Sequence, residues 1–286
     1  MKIVEIKDKI IHGDTLKILK QIPDNSIDLW ITSPPYNKGE NKKWRLVENV
    51  KYKWASDKKN ENEYQQEQIH VLNEIFRVIK PWWSFFYNHK IRREKWIMYH
   101  PISWINQTKW TIRQEIIWDR MIAANIRWWR FWQVEERKYW LYKPIDNNKI
   151  WKELKSKHAL LTSIWRIPPE KNNSHPAPFP VELPTRIIYS IFDNEKNKII
   201  LDPYMWSWTT AIAAKALNHH FIWIDISKEY INYAYERLKN IEQFLPQIEK
   251  ELSLHKVEKT FKERKEKKEF TGKHSPITQK KIIPLF

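Results

Sequence analysis

Three short stretches combine residue types and spacings that could do chemistry. At Thr32-Ser33-Pro34-Pro35-Tyr36-Asn37 a hydroxyl and a phenol flank two prolines, directly after an apolar run of strand length, Ile27–Thr32. Two consecutive prolines cannot continue a sheet ladder, so the chain leaves the strand there on a stiff turn. The second stretch, Leu201-Asp202-Pro203-Tyr204-Met205-Trp206-Ser207-Trp208-Thr209-Thr210, joins a predicted strand to a predicted helix. Backbone in that setting can approach a ligand at a helix N-terminus. The third is Ile224-Asp225-Ile226, with Asp225 17 residues past Trp208. An acid at such a strand end can hydrogen-bond the ribose hydroxyls of a nucleoside cofactor, although a solvated strand end would look the same.

The elements that position these stretches alternate. Residues 198–201 read as a strand, 209–217 as a helix, 221–225 as a strand and 229–244 as a helix. Alternation at these lengths implies a parallel, doubly wound sheet. Toward the N-terminus, residues 15–22 read as a helix behind Gly13-Asp14, and Pro23-Asp24-Asn25-Ser26 as a turn. Leu72, Ile75, Phe76 and Ile79 recur at helical spacing, and Pro81 is expected to stop that helix before a strand at 84–87. Short strands are expected at 115–118 and 137–142. Residues 38–68 are polar and read as a long mobile loop, and 145–173 as a surface-built recognition segment.

Composition narrows the partner. The 286 residues hold 51 Lys+Arg against 34 Asp+Glu, a net charge of +17, which points to a polyanion and first of all to nucleic acid. There is no Cys, which removes disulfides, thiolate metal sites and cysteine nucleophiles and fits a reducing compartment, the cytoplasm. No apolar run reaches the roughly 18 residues of a membrane span, so no membrane partner is expected. His219-His220 lack metal-ligand spacing with acids, and no metal is assigned. Tyr230, Tyr233 and Leu238 at helical spacing read as core. Residues 256–286 carry ten Lys/Arg and four Glu and read as a basic tail.

Taken together, these stretches resemble the DNA amino-methyltransferases, which methylate cytosine N4 or adenine N6. In that family a Ser-equivalent side chain and the carbonyl of the first proline accept hydrogen bonds from the target amine. The resemblance therefore gives Ser33 and Pro34 the amine, Pro35 the stiffness of the loop, and Tyr36 a stacking role on a flipped-out base. It likewise makes Asp202, Tyr204, Trp206, Ser207, Trp208 and Thr209 a loop for S-adenosylmethionine, with Asp225 on its ribose. Ser174-His175-Pro176-Ala177-Pro178-Phe179-Pro180, followed by Glu182, Leu183 and Arg186, is similar to the segment that closes over the methionine part, which brings in His175 and Pro178. Gly13-Asp14 resembles the adenine contact and brings in Asp14.

The order of these stretches is that of the family's permuted beta group, and the likeness covers roughly residues 8–245. It implies an α/β fold: a Rossmann-like methyltransferase domain at 1–245, a small target-recognition insertion at 120–173, and a basic C-terminal tail at 246–286. The implied activity is site-specific methylation of an amino nitrogen in duplex DNA. Serine before Pro-Pro-Tyr is commoner in the cytosine-N4 enzymes. A homodimer and a cognate restriction endonuclease are partners the family allows. A DNA-binding relative without catalysis, or an enzyme acting on RNA or protein amines, would carry much of the same pattern.

One feature of the composition is abnormal. Glycine occurs only 3 times, where usage of about 7% would give roughly 20, and Trp occurs 18 times. Trp206 and Trp208 stand where the family has glycine, Trp82-Trp83 follow Pro81 as a Pro-Gly-Gly turn would, and Trp223 precedes Ile-Asp where glycine is usual. Trp30, Trp44, Trp96, Trp128, Trp129 and Trp151 read the same way, whereas Trp118, Trp132, Trp140 and Trp165 sit among apolar or aromatic neighbours and read as genuine. Some bacterial lineages read UGA as glycine and others as tryptophan. A gene of the first kind translated by the second code would give this pattern, with glycines at the eleven suspect positions.

Overall fold

The computed structural model describes residues 1–37, 58–94, 96–123, 128–144, 162–170, 179–204, 208–255 and 261–268. In chain order the elements begin α1 (Ile3–Ile6), β1 (Lys9–His12), α2 (Thr15–Leu19), β2 (Ile27–Thr32), α3 (Glu61–Val78), β3 (Ile79–His89), β4 (Arg92–Glu94) and β5 (Ile97–Tyr99). They continue with α4 (Ile102–Ile105), β6 (Thr111–Asp119), β7 (Glu135–Tyr142), β8 (Ile164–Arg166), α5 (Glu182–Phe192), β9 (Ile199–Asp202) and α6 (Thr209–Ala216). The last are β10 (His220–Asp225), α7 (Lys228–Lys239), α8 (Leu245–His255) and α9 (Phe261–Glu266).

Strands β2, β9 and β10 are apolar nearly throughout because both of their faces are covered. They sit at the centre of an eight-stranded sheet of order β1-β10-β9-β2-β3-β7-β6-β8. The first five strands in that order are mutually parallel, β7 is antiparallel to both β3 and β6, and β8 runs parallel to β6. One core packs Leu29, Ile31, Phe86, Ile200 and Trp223 with Ile187, Ile212 and Leu238 of α5, α6 and α7. The other packs Ile27, Trp30, Phe85, Leu201 and Ile222 with Leu19, Leu72 and Trp104 of α2, α3 and α4. A sheet covered on both sides by helices is the doubly wound architecture the alternation implies.

The chain runs from β9 through α6 to β10 in one direction along the sheet, and from β2 through α3 to β3 in the other. Neighbouring β2 and β9 are therefore the point where strand order reverses. The crevice beyond their carboxyl ends is where open α/β sheets place ligands.

Four expectations change. Helix α3 begins at Glu61, so 61–68 is helix rather than loop, while 38–57 lie outside the described residues. Asn60 caps it by accepting from the Asn62 amide, acids at Glu61 and Glu63 suit its N-terminus, and Tyr64 and Gln68 bury one turn apart. Pro81 does not precede β3 but sits inside it. The pairing of β2 with β3 jumps from Ile27↔Ile79 to Leu29↔Ser84, and this irregularity accommodates a residue that cannot donate to a ladder. The span 120–173 is not wholly a surface-built segment, because it contributes β7 and β8 to the main sheet. Nor does a tail begin at 246: α8 packs on α5, with Ile248 in the core and Glu251 accepting from Arg186 Nε at 2.6 Å in a buried pair.

Candidate active site

Parallel strands ending at one edge bring the cofactor-type residues together. His12 at the end of β1 pairs with Asp225, and Asp202 at the end of β9 pairs with Trp223. Gly13 N donates to the Asp225 carbonyl at 2.9 Å, and Thr15 Oγ1 donates to the Pro203 carbonyl at 2.7 Å, so the turn after β1 is tied to the ends of both β10 and β9. Asp14 is the N-cap of α2, accepting from Lys17 N at 2.9 Å. The Asp225 carboxylate accepts from Ser227 N at 2.6 Å, and Ser227 in turn caps α7.

Asp202 is fully buried and its carboxylate acts within the loop. It accepts from Thr32 Oγ1 (3.0 Å), Tyr204 N (3.2 Å) and Thr210 Oγ1 (3.1 Å), which locks the end of β9 to the end of β2 and to α6. Thr209 Oγ1 donates to the Phe179 carbonyl at 2.8 Å. Burial pushes the Tyr204 phenol well above the ordinary tyrosine range. The Trp208 ring lies 3.8 Å, centroid to centroid, from that of Tyr233, tighter than the 4.5–7 Å that aromatic pairs keep. His175, Pro178, Trp206 and Ser207 lie outside the described residues.

The other side of the crevice holds a denser polar cluster. Ser33, first residue past β2, is buried with its Oγ 2.6 Å from Tyr36 Oη. Tyr36 donates to Glu136 Oε2 at 3.0 Å. Asn88 Nδ2 lies within donating distance of Ser33 Oγ (3.2 Å), Tyr36 Oη (2.5 Å) and Glu136 Oε2 (2.9 Å). Lys138 Nζ donates to Asn88 Oδ1 at 2.7 Å, so the amide must turn its nitrogen toward the serine. Arg120 lies 3.3 Å from the other Glu136 oxygen. Burial raises the Tyr36 phenol well above its ordinary value, with the Glu136 charge adding to it, so Tyr36 stays a donor. Burial likewise drives Lys138 well below the usual lysine range, against the pull of Glu136; its Nζ lies 4.1 Å from the Phe179 ring centre and 4.9 Å from that of Trp118.

The turn itself is held from beneath. Tyr64 of α3 donates to the Pro35 carbonyl at 2.7 Å, and its oxygen lies 2.6 Å from His89 Nε2. Asn37 and Lys59 exchange two hydrogen bonds, of 2.7 and 3.2 Å, which fixes the end of the turn. The Tyr36 ring packs at 4.7 Å on His89.

Sequence reasoning placed Ser33, Pro34, Pro35 and Tyr36 here but missed Asn88, Arg120, Glu136 and Lys138. The strands were read as 84–87 and 137–142, each one residue short of the polar group that matters. No signal in the sequence singles out Glu136 and Lys138: Glu135, Glu136, Arg137 and Lys138 are all charged, and only the burial of Glu136 and Lys138, on alternate positions of β7 with Lys138 opposite Asn88, sets them apart.

Residues 27–236 match the DNA methylase family. The type II methyltransferase M.BglII of Bacillus subtilis is 30% identical over 267 residues, covering 81% of this chain and 69% of that protein. Among solved structures, the cytosine-N4-specific PvuII DNA methyltransferase superposes with a TM-score of 0.61 at 18% identity, covering 82% of this chain and 91% of that one. The M1.HpyAVI–SAM complex does so with a TM-score of 0.51 at 23% identity, over 80% of this chain and 99% of that one. At those identities the likeness is one of fold. The family match runs from the first residue of β2 into α7 and so takes in the Ser33 turn, the Asp202 loop and Asp225. The chain belongs to the DNA methylase family.

Proposed function

We propose that this methylase moves a methyl group from S-adenosylmethionine to an exocyclic amino nitrogen of a base flipped out of duplex DNA, with Ser33 Oγ and the Pro34 carbonyl holding the amine. An amine conjugated to its ring is a poor nucleophile because its lone pair is delocalised. Two acceptors around the NH2 draw the nitrogen toward tetrahedral geometry and release that pair. The amine is paired inside the duplex, so the base must leave the stack to reach Ser33. The observation that carries the reading is the placement of the Ser33 turn where strand order reverses, beside the end of β9.

The residues present suit the cofactor in part. Asp225 and Asp14 stand at neighbouring strand ends, where carboxylates suit ribose and adenine groups. Close backbone approach at the start of α6 is what the chain lacks, because Trp208 puts a buried indole there. When bound, the sulfonium supplies an electrophilic methyl carbon. That indole favours one rival reading, a DNA-binding relative that has lost catalysis. Calorimetry with S-adenosylmethionine separates the two, since the rival binds DNA without cofactor.

Ser33 favours cytosine N4 over adenine N6. Nucleoside analysis of methylated DNA tests the choice, and N6-methyladenine alone would overturn it. Action on chromosomal DNA in the cytoplasm, a cognate endonuclease cutting the same site and a homodimer extend this reading. Protection of methylated DNA from a neighbouring endonuclease, and sedimentation of the pure chain, test the last two.

A further inference from the structure

We propose that Glu136, acting through Tyr36 and Ser33, takes up the proton that the target amine loses. The proposal rests on the amino-methyl-transfer reading above. When the nitrogen bonds the methyl carbon, the carbon–sulfur electron pair stays with sulfur, and the nitrogen is cationic until it sheds a proton. Ser33 Oγ accepts that proton and passes its own across 2.6 Å to Tyr36 Oη. Tyr36 passes its own across 3.0 Å to Glu136 Oε2, which ends as a neutral carboxyl. Each oxygen gains one proton and loses one, except the last.

Two features set the direction of this chain. Lys138 fixes the Asn88 amide by donating to Oδ1, so Asn88 presents only N–H groups to the three oxygens and cannot take a proton from them. With the Ser33 hydroxyl turned toward Tyr36 and one lone pair facing Asn88, the remaining lone pair of Ser33 is the one left for the amine.

Glu136→Gln keeps the shape and removes the terminal base. Its single-turnover methylation should fall by about 100-fold, within the usual range for removing an acid–base group. A fall in rate at acid pH is expected of the parent and should be absent from the variant, while DNA affinity and flipping of 2-aminopurine at the target should be unchanged. Glu136→Ala should regain activity with added formate, which a packing role would not permit. Tyr36→Phe should lose the acid limb as Glu136→Gln does. A Glu136→Gln rate within twofold of the parent, or a loss that formate leaves untouched in Glu136→Ala, overturns the relay. The parent in these measurements carries Trp206→Gly, Trp208→Gly and Trp223→Gly, and absence of methyl transfer in it would instead overturn the reading on which the relay rests.

A separate set of observations concerns the tryptophans. We infer that Trp30, Trp82, Trp96 and Trp223 occupy positions the fold builds for glycine, and that the native gene product carries glycine there. Trp82, in the irregular stretch of β3, has φ 69°, and Trp96, in the turn joining β4 to β5, has φ 71°, the left-handed region that favours glycine. Trp30 and Trp223 lie fully buried in central strands, and their indole N–H groups have no partner among the described residues. By contrast Trp104, Trp110, Trp118, Trp140 and Trp165 all donate Nε1, at 2.7–3.2 Å. The gene decides the matter: UGA codons at the first four and UGG at the other five are expected, and UGG at all nine overturns the inference.

Discussion

The two banks of the crevice were built by the same chain and differ in one respect. On the β2–β3–β7 side, Ser33, Tyr36, Asn88, Glu136 and Lys138 answer one another's hydrogen bonds in a buried cluster. On the β9–β10 side, Asp202 is equally well answered, but Trp208 crowds Tyr233 and Trp223 buries an N–H without an acceptor among the described residues. Outside that cluster the conflicts recur on both banks and fall on one residue type, at Trp30 of β2 and Trp82 of β3 as at Trp208 and Trp223, which points to that residue type as the fault.

Magnitudes say which conflicts weigh most. A buried, unanswered N–H costs about 1–3 kcal/mol, but burying an indole returns about 4–6 kcal/mol at 25 cal/mol per Å². Trp30 and Trp223 are therefore tolerable in energy. Trp96 has no such offset, because it is 79% exposed and still takes a left-handed backbone at about 1–2 kcal/mol.

The largest effect is expected at Ser33, on the β2–β3–β7 bank. Ser33→Ala should lower single-turnover methylation by about 10²–10³-fold, by analogy with losing one oxyanion-hole donor, while DNA affinity stays put. An unaltered rate would remove Ser33 from the mechanism. Among the tryptophans the comparison turns on a sign. If Trp223 were a native core residue, Trp223→Gly would cost about 3–5 kcal/mol, the usual result of emptying an aromatic site. Trp96→Gly has no buried indole to lose, so if that position is built for glycine the change should raise the melting temperature, and calorimetric melts of the variant beside Trp140→Gly as a control read the difference.

The sequence made one bank more legible than the other. The Ser33 turn could be read because Pro34-Pro35 forces an exit from a strand whatever surrounds it, and the 198–225 alternation because helix and strand periods are local. Asn88, Glu136 and Lys138 could not, since their meaning arises only when β3 and β7 pair antiparallel and bring position 88 opposite 138. Strand β3 was misread because Pro81 is a breaker by local rules, yet a register shift absorbs it. Helix α8 was lost to the tail because its charge hides a buried partner: Glu251 belongs to Arg186.

Smaller effects sharpen the contrast between sheet and periphery. Deleting residues 256–286, which hold ten Lys/Arg, should flatten the salt dependence of non-specific DNA binding and leave the melting temperature unchanged, because the packed chain continues through α8. A collapse in melting temperature would mean the tail packs on the core. The smallest is a pH effect at the junction of α6 and β10. Burial, then the charge of Lys198, lowers His219 from 6.5 to about 4. Between those values the unfolded chain binds a proton that the native one refuses. Stability should therefore rise as pH climbs from about 4 to 6.5 and be insensitive to this group outside that window. Urea titrations of the parent and His219→Gln check it, the variant losing the slope.

The most direct test of the account incubates duplex DNA and S-adenosylmethionine with the chain carrying Trp206→Gly, Trp208→Gly and Trp223→Gly, then resolves the digested nucleosides by mass. N4-methylcytosine or N6-methyladenine is expected, lost again when Ser33→Ala is added. A folded, DNA-binding protein that leaves every amino group unmethylated would contradict it.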